Sequence, residues 1–289
     1  MENSNTDRAK DALGMEDQPF DIYIVGLGIS AVRHVTREVE AAIRQSREVF
    51  FVAPFFGIEE YLRSLCNQVT DLYYKAYHQD VSRVLAYDVM ASAVIEAAFD
   101  HPPVTFAVGG HPLVYVFPSQ QILAASQFLN LRVKVMPGIS ALDTILVDLN
   151  LDPSVQGLQM YEATDLLLRR RPLQPDVPCL IWQVGTVGTN LFSYSISKPE
   201  RFANFKSYLL EFYPGSHPVT GIYSSTHPIM PSILKTFPIA ELDTQSHLLH
   251  QSLTLYIPPV RIRPVADEAM IRRLEDREYL NRLVVPVHD

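Results

Sequence analysis

Three tyrosines and one arginine lie close together in the sequence and are of types that could perform acid–base chemistry. Arg83 and Tyr87 are four positions apart, so a predicted helix over 82–99 would place both on one face. Tyr73 and Tyr77 fall on the predicted loop that enters this helix. A guanidinium beside a phenol favours the phenolate and lowers the pKa of the tyrosine, which could then accept a proton. The alternative is that these tyrosines are half-buried packing residues with solvated hydroxyls.

A second group of candidate residues is the glycine-rich segment 26–31 (GLGISA), which follows a predicted strand. It matches the GxGxxG/A fingerprint, in which the backbone approaches a pyrophosphate at a helix N-terminus. A dinucleotide site also needs an acidic residue about 20 positions further on to hold the ribose. The second predicted strand ends instead in FFVAP (50–54), and the next helix begins late, near Thr36. The residues therefore disfavour a nicotinamide site, and a tight glycine turn over the sheet stays as the alternative.

Two further loops follow predicted strands and are also rich in glycine. The segment GGHP (109–112) has two glycines where one would suffice for a turn, which indicates that a flat ligand approaches the backbone. The segment PGIS (137–140) ends in a serine that can cap the next helix and offer a hydroxyl and an amide to a ligand. For Ser140 alone, the N-cap is the favoured interpretation. Because open α/β sheets bind ligands at the carboxyl ends of parallel strands, the three loops together predict one ligand site.

A parallel sheet is needed to position these loops. From residue 20 onward, short β-branched runs alternate with stretches of helical period, which is typical of parallel α/β units. Strands are predicted at 21–25, 49–52, 70–74, 104–108 and 132–136, and helices at 36–46, 57–67, 82–99 and 119–129. The fold class is therefore α/β, with one open and mostly parallel sheet in this half of the chain.

The pattern changes after the segment NLDP (150–153), where prolines interrupt the runs. Strands are predicted at 179–184, 219–224 and 253–257, and helices at 199–213 and 266–283. These elements predict a second α/β domain with a more mixed sheet. The predicted divisions are a disordered leader (1–19), an N-terminal α/β domain (20–152), a C-terminal α/β domain (153–260) and a helical tail (261–289).

The composition disfavours several classes of function. The chain has 289 residues, of which 47% are hydrophobic and 19% charged, with a formal net charge of -8. It therefore offers no basic surface for nucleic acid, and we interpret Arg169–Arg171 as a solvated face. Cys66 and Cys179 are far apart in the sequence and belong to no CxxC or Cys/His motif, so neither a disulfide nor a metal site is expected. Nowhere do 18 apolar residues run together, and we expect a soluble cytoplasmic protein without membrane contact.

Three short segments make the sequence resemble a known superfamily: VGLG at 25–28, GHPLVY at 110–115 and PGISA at 137–141. From about 20 to 260 the chain is similar to the tetrapyrrole methylases, which are class III S-adenosylmethionine (SAM) methyltransferases. Most of them have an aspartate where this chain has His111, and that departure points to the borosin peptide backbone α-N-methyltransferases. Further segments similar to that branch are YEATD at 161–165, QVG at 183–185, HPV at 217–219 and YIPP at 256–259.

The resemblance implies SAM as the methyl donor, S-adenosylhomocysteine as its product, a peptide amide nitrogen as the acceptor, and a homodimer. It implies the fold of the tetrapyrrole methylases, with SAM in the cleft between two α/β domains. The residues implied to carry the chemistry are Tyr73, Tyr77, Arg83 and Tyr87. The residues implied to bind the cofactor are Gly26, Leu27, Gly28, Gly110, His111, Val114, Ser140, Ala141, Gln183 and Val184. We expect Tyr77 or Tyr87 to take or relay the amide proton, with Arg83 supporting the phenolate or the amide oxygen and Tyr73 orienting the peptide.

Two departures from the fused borosin enzymes qualify this resemblance. Those enzymes tend to place an aromatic hydroxyl just before Gly-His-Pro, where this chain has Gly109. They also carry their substrate as a C-terminal tail, whereas 30 residues follow Pro259 here, so we expect a separate precursor peptide acting in trans. Two alternatives stay open: a small-molecule methylase of the tetrapyrrole or corrin type, and a catalytically idle homologue that binds a peptide or a partner enzyme.

Overall fold

The computed structural model describes residues 20–227 and 229–285, so the predicted leader over 1–19 lies outside the described residues. The strands are β1 (Ile22–Gly26), β2 (Glu48–Val52), β3 (Val69–Asp71), β4 (Val104–Val108), β5 (Val133–Met136), β6 (Gln159–Glu162), β7 (Cys179–Trp182), β8 (Pro218–Tyr223), β9 (Ile233–Pro238) and β10 (Thr254–Ile257). The α-helices are α1 (Arg37–Gln45), α2 (Ile58–Leu65), α3 (Leu72–Ala76), α4 (Arg83–Asp100), α5 (Phe117–Leu129), α6 (Ala141–Leu149), α7 (Pro153–Gln156), α8 (Ala163–Leu168), α9 (Ala203–Leu209), α10 (Glu268–Ile271) and α11 (Arg277–Leu283). Short 3-10 helices cover Ala31–His34, Val184–Thr186, Pro199–Phe202 and Ile239–Glu241.

The first sheet has the order β3-β2-β4-β1-β5, and every neighbouring pair is parallel. Its two central strands, β4 and β1, are buried along their whole length because helices cover both faces. In β1, Ile22 and Ile24 face the core formed with α4 and α5, while Tyr23 and Val25 face the core formed with α1 and α2. The prediction of an open parallel sheet is confirmed, and its carboxyl ends meet at one edge.

The second sheet has the order β6-β7-β10-β8-β9 and is mixed, as predicted. Strands β6 and β7 are parallel, whereas β10 runs antiparallel to both β7 and β8. The start of β10 therefore lies at the same edge as the ends of β7 and β8, with Leu255 opposite Ile181 and Thr254 opposite Ile222. Ile145 of α6 packs against one face of this sheet, so α6 contacts the second sheet although it follows the first. The domain boundary at 152 stays a prediction.

One predicted element near the tyrosine cluster is wrong. The strand predicted over 70–74 ends at Asp71, whose carboxylate accepts a hydrogen bond from the Tyr73 amide at 2.7 Å and caps α3. An aspartate at the N-cap accepts a hydrogen bond from a helical N–H that has no partner within the helix. Asp71 therefore begins a helix at the point where the strand was predicted to continue. Tyr73 therefore lies in a helix and Tyr77 is its C-cap, rather than both lying in a loop. The late helix start near Thr36 is confirmed, since Thr36 caps α1.

The tail also differs from the prediction of one helix over 266–283. It forms α10 and α11 instead, because the carboxylate of Asp276 accepts hydrogen bonds from two amides and begins a new helix. Leu274 of the segment between these helices and Leu283 at the end of α11 are exposed. The predicted helix over 199–213 is likewise divided into a 3-10 turn and α9. Among the described residues, no helix has the length and apolar character needed to cross a membrane.

Candidate active site

Three glycine loops meet at the edge of the first sheet. Gly28 and Gly110 form an antiparallel bridge, in which the Gly110 amide donates to the Gly28 carbonyl at 2.7 Å. A Cβ atom on Gly26 would lie 2.5 Å from the Gly110 carbonyl oxygen, and one on Gly138 would lie at the same distance from that oxygen. Such contacts cannot form, so both positions require glycine. The first loop is therefore built to pack against the other two, which explains its glycines without a pyrophosphate.

A cavity of about 370 Å³ lies above these loops and between the two sheets; we call it the first cavity. Six of the ten residues predicted to bind the cofactor line it: Gly110, His111, Val114, Ser140, Ala141 and Gln183. The other four, Gly26, Leu27, Gly28 and Val184, are buried, and Leu27 and Val184 expose none of their surface. These four residues do not line the cavity in the free chain, and that they bind the cofactor stays a prediction.

Two polar residues of the first cavity differ in what they can offer a ligand. The Leu113 amide donates to Nδ1 of His111 at 3.1 Å, so the neutral ring carries its proton on Nε2 and can donate it. Ser140 caps α6, and its amide and hydroxyl both contact Asp143 Oδ2, at 2.6 and 2.9 Å. The N-cap interpretation of Ser140 is confirmed. The amide and hydroxyl that a ligand would use are already engaged.

The second sheet contributes a part of the first cavity that the sequence did not predict. Its residues end or follow β8, or precede or begin β10: Tyr223, Ser224, Thr226, Gln251, Ser252, Leu253 and Thr254. The rule that ligands bind at the carboxyl ends of strands does not find residues that precede an antiparallel strand. Trp182 at the end of β7 also lines the cavity. Its indole Nε1 is buried and makes no hydrogen bond to the described residues, so it can donate to a ligand.

The position of Gly109 has a specific neighbour. A Cβ atom there would lie 2.9 Å from Cζ of Phe55, and both residues line the first cavity. The Phe55 ring therefore occupies space that a larger residue at 109 would need. In this chain an aromatic ring from the segment after β2 therefore packs beside position 109.

We predict that positions 109 and 55 are coupled. Gly109→Ala is expected to weaken ligand binding in the first cavity because it displaces the Phe55 ring, and Phe55→Ala in the same chain is expected to restore part of the loss. The coupling should be about 0.5–3 kcal/mol in a double-mutant cycle of SAM dissociation constants measured by calorimetry. Additive effects of the two substitutions would show that the ring and position 109 do not compete for space.

The four predicted catalytic residues lie together. The Tyr73 and Tyr77 rings are 5.0 Å apart edge to face, and the Tyr77 and Tyr87 rings are 6.3 Å apart. Phe192, which sequence reasoning did not select, stacks on Tyr77 at 4.7 Å. Arg83, the first residue of α4, donates to the Thr186 hydroxyl at 3.2 Å and to the Thr189 carbonyl at 2.9 Å. The guanidinium is thus fixed by the segment after β7.

The electrostatics of Tyr77 contradict one expectation. Burial, followed by interaction with the neighbouring Tyr87 hydroxyl, raises the pKa of Tyr77 well above its usual range. The charge of Arg83 acts in the expected direction and lowers the pKa of Tyr77, but by less than these two causes raise it. Burial also raises the pKa of Tyr73. In the free chain the Tyr77 hydroxyl therefore stays protonated at neutral pH.

A second cavity, of about 360 Å³, lies beside the first. Arg83 and Tyr87 line it, whereas Tyr115, Val116 and Gln183 line both cavities and form a shared wall. Tyr115 and Gln183 adopt left-handed φ values of 57° and 56°, a strained conformation for non-glycine residues that recurs at functional sites. Burial raises the pKa of Tyr115 to about 12, so its hydroxyl is a donor at neutral pH.

Comparison with known proteins agrees with this geometry. Residues 21–228 match the family model described as Tetrapyrrole (Corrin/Porphyrin) Methylases. The chain belongs to this family. Among solved structures, the tetrapyrrole methylase fold recurs in the methyltransferase CobJ, with a TM-score of 0.61 and 16% identity over 86% of this chain and 98% of that one. It also recurs in uroporphyrin-III C-methyltransferase from Thermus thermophilus complexed with S-adenosylhomocysteine, with a TM-score of 0.56 and 13% identity over 82% and 91% of the two chains.

Relatives of higher identity are methyltransferases fused to peptide precursors. The chain is 30% identical over 254 residues to a methyltransferase/ribosomally synthesized type I borosin cyclic peptide precursor of Serendipita vermifera subsp. bescii, covering 87% of this chain and 61% of that protein. It is 29% identical to the corresponding omphalotin A precursor protein of Omphalotus olearius, covering 87% and 60%. The chain thus spans about three fifths of the length of these two relatives.

Proposed function

We propose that this tetrapyrrole methylase family member is a SAM-dependent methyltransferase that methylates backbone amide nitrogens of a precursor peptide. The observation that carries the proposal is the wall shared by two cavities, formed by Tyr115, Val116 and Gln183. A methyl donor in the first cavity and a peptide in the second would approach each other at these shared residues. The borosin relatives support a peptide as the acceptor, and a precursor supplied as a separate chain stays our prediction.

The first cavity suits SAM by its chemistry. Its residues offer Nε2–H of His111 and the unpartnered Nε1–H of Trp182 as donors, together with apolar and aromatic surface for a flat base. Glycine at 110 lets a ligand approach the backbone closely, since this residue has a φ of 79° and carries no side chain. SAM supplies an electrophilic methyl group on a sulfonium, which needs no metal or redox partner.

The tyrosine cluster suits an amide acceptor. An amide nitrogen shares its lone pair with the carbonyl, so it becomes nucleophilic only when its proton is removed and charge on its oxygen is stabilised. We propose that Tyr77 or Tyr87 receives or relays this proton and that Arg83 stabilises the phenolate or the amide oxygen, while Tyr73 orients the peptide. Because burial raises the pKa of Tyr77, the positive sulfonium would have to assist Arg83 in favouring the phenolate.

We further propose that the protein acts as a homodimer. Large apolar side chains are exposed on neighbouring helices: Leu85 and Val89 on α4, and Phe128 on α5, of which Phe128 is 89% exposed. Large apolar side chains exposed on adjoining helices are candidates for an association surface. Light scattering of the purified chain measures the assembly directly, and a mass equal to one chain at micromolar concentration would contradict the dimer.

Two measurements test the proposed activity. Calorimetry with SAM should show saturable binding, whereas a catalytically idle homologue that lacks the cofactor site would give no heat. Mass spectrometry of a co-expressed precursor should show increments of one CH2 group, and fragmentation should locate them on backbone amides. Arg83→Gln co-expressed with the same precursor is the matched control. Methylated tetrapyrrole together with an unmodified precursor would reverse the assignment in favour of a small-molecule methylase.

A further inference from the structure

A third cavity, of about 230 Å³, lies behind the tyrosine cluster and belongs to neither of the two already described. It is enclosed by the serine-rich segment 193–197 (SYSIS), by Arg83 and Arg201, and by the turn around His247 and His250. The segment 193–197 is held in place by hydrogen bonds from Gln251 to the Ser193 carbonyl and from the Tyr194 amide to Gln79. The cavity is therefore a formed feature of the fold.

The lining of the third cavity is positively charged and rich in donors. Among the described residues that line it there are two arginines, two histidines and several hydroxyl groups, but no aspartate or glutamate. This is unusual in a chain with a formal net charge of -8. Serine and threonine hydroxyls can turn their protons toward an anion, so the whole lining is suited to negative charge.

Both guanidinium groups donate hydrogen bonds to the segment 186–189, and neither has a counter-ion among the described residues. Arg83 donates to the Thr186 hydroxyl and the Thr189 carbonyl, while Arg201 donates to the Val187 carbonyl at 3.1 Å and to the Ser197 hydroxyl at 2.8 Å. Nε of Arg83 is buried and makes no hydrogen bond. Partial burial and the charge of Arg83 lower the pKa of Arg201, as expected when two like charges lie close together.

The arginines of the run 169–171 are neutralised, in contrast to Arg83 and Arg201. Arg169 and Arg171 both bind the carboxylate of Asp165 at 2.6 Å, and Arg170 binds Glu211 at 2.8 Å. This run of arginines resembles an anion site in the sequence, but all three side chains are paired with carboxylates of the same chain. A half-buried charge without a partner is destabilising, and an anion between Arg83 and Arg201 would remove this cost.

We propose that the third cavity binds a small oxyanion, most simply a carboxylate held by Arg201 and Arg83. Planar guanidinium groups match carboxylate oxygens in geometry, and the volume suits one side-chain carboxyl group rather than a whole cofactor. Arg83 also lines the second cavity, so an anion here would add a charged partner to the guanidinium that faces the proposed peptide site. The carboxylate could come from an acidic side chain of the peptide, an option that rests on the proposed function, or from a free anion.

The experiment uses the full chain without SAM, so its outcome is independent of methyl transfer. Calorimetry compares sodium acetate and inorganic phosphate with chloride at equal ionic strength, and compares the capped peptides Ac-AAEAA-NH2 and Ac-AAQAA-NH2. Acetate binding, with Arg201→Gln lowering its affinity by about tenfold or more, is expected. Preference for the Glu peptide over the Gln peptide would identify a peptide carboxylate as the source, and acetate or phosphate binding without that preference would identify a free anion.

Arg201 also donates a hydrogen bond to the Val187 carbonyl, so Arg201→Gln would also lose a contact that supports the fold. A second variant that keeps Arg201 separates loss of the anion site from misfolding. Ser197→Asp places a carboxylate next to the Arg201 guanidinium. It should raise the melting temperature and abolish acetate binding, because the cavity then contains its own counter-ion. Asn281→Asp adds the same charge on the exposed tail and should change neither property. Absence of anion binding to the wild-type chain, or equal binding to Ser197→Asp and wild type, would overturn the proposal.

Discussion

Tyr77→Phe is expected to lower kcat for methyl transfer by about 10²–10⁴-fold, the usual contribution of a positioned acid–base group. The ring would still stack on Phe192, so the fold and the affinity for SAM should be retained. The measurement is the rate at which a co-expressed or added precursor gains methyl groups, read by mass spectrometry. Tyr74→Phe on the same helix is the matched control, since Tyr74 is 72% exposed. Activity near wild type in Tyr77→Phe would remove Tyr77 from the mechanism.

The pH dependence provides an independent check of the same role. Because the pKa of Tyr77 lies above its usual range, the phenolate is a small fraction that grows about tenfold per pH unit below that pKa. If Tyr77 accepts the proton, kcat of the wild type should rise with pH up to about pH 9, and this rise should vanish in Tyr77→Phe. Arg83→Gln removes a charge that lowers the pKa of Tyr77, so its remaining activity should need still higher pH. A flat profile for the wild type would contradict Tyr77 as the base.

Gly26→Ala is the second substitution with a large expected effect. Its Cβ atom would lie 2.5 Å from the Gly110 carbonyl oxygen and 2.6 Å from the Gly138 amide nitrogen. Both of these are backbone atoms, which cannot rotate away as a side chain could. We expect the free energy of unfolding to fall by about 1–3 kcal/mol or more and SAM binding to be lost, because the loops must separate. Urea unfolding and calorimetry measure the two effects.

Gly215→Ala is the control for this substitution, because a Cβ atom there would meet its nearest neighbour at an ordinary 3.5 Å. It should leave both stability and SAM binding close to those of the wild type. If Gly26→Ala behaved like Gly215→Ala, the close packing of the three loops would not be needed for the cavity.

Much of the first sheet and its edge could be predicted from the sequence because its signals are local. β4 was predicted at its observed bounds, and loops that follow parallel strands were correctly expected to meet. Gly110, His111 and the serine before α6 line the first cavity. Each of these inferences depends only on strand period, glycine or proline turns and helix capping, which are properties of a few consecutive residues.

The rest of the site depends on contacts between distant segments, which no local pattern reports. The residues before β10 line the first cavity only because β10 runs antiparallel to its neighbours. Phe192 joins the tyrosine cluster because the segment after β7 crosses to α4, where Ser82 bridges Leu191. The direction of the pKa shift of Tyr77 was also missed, since the spacing of Arg83 and Tyr77 contains no information about how deeply the phenol is buried.

The position of β10 has a consequence for how the protein is made. It is the last strand of its sheet in the sequence, yet it lies between β7 and β8 at the centre of that sheet. Neither neighbour can complete its pairing before the ribosome has released the chain through about Ile257, and the wall over 251–254 is missing until then. A nascent chain should therefore form its first sheet early and become able to hold a cofactor only after β10 has emerged and paired with β7 and β8.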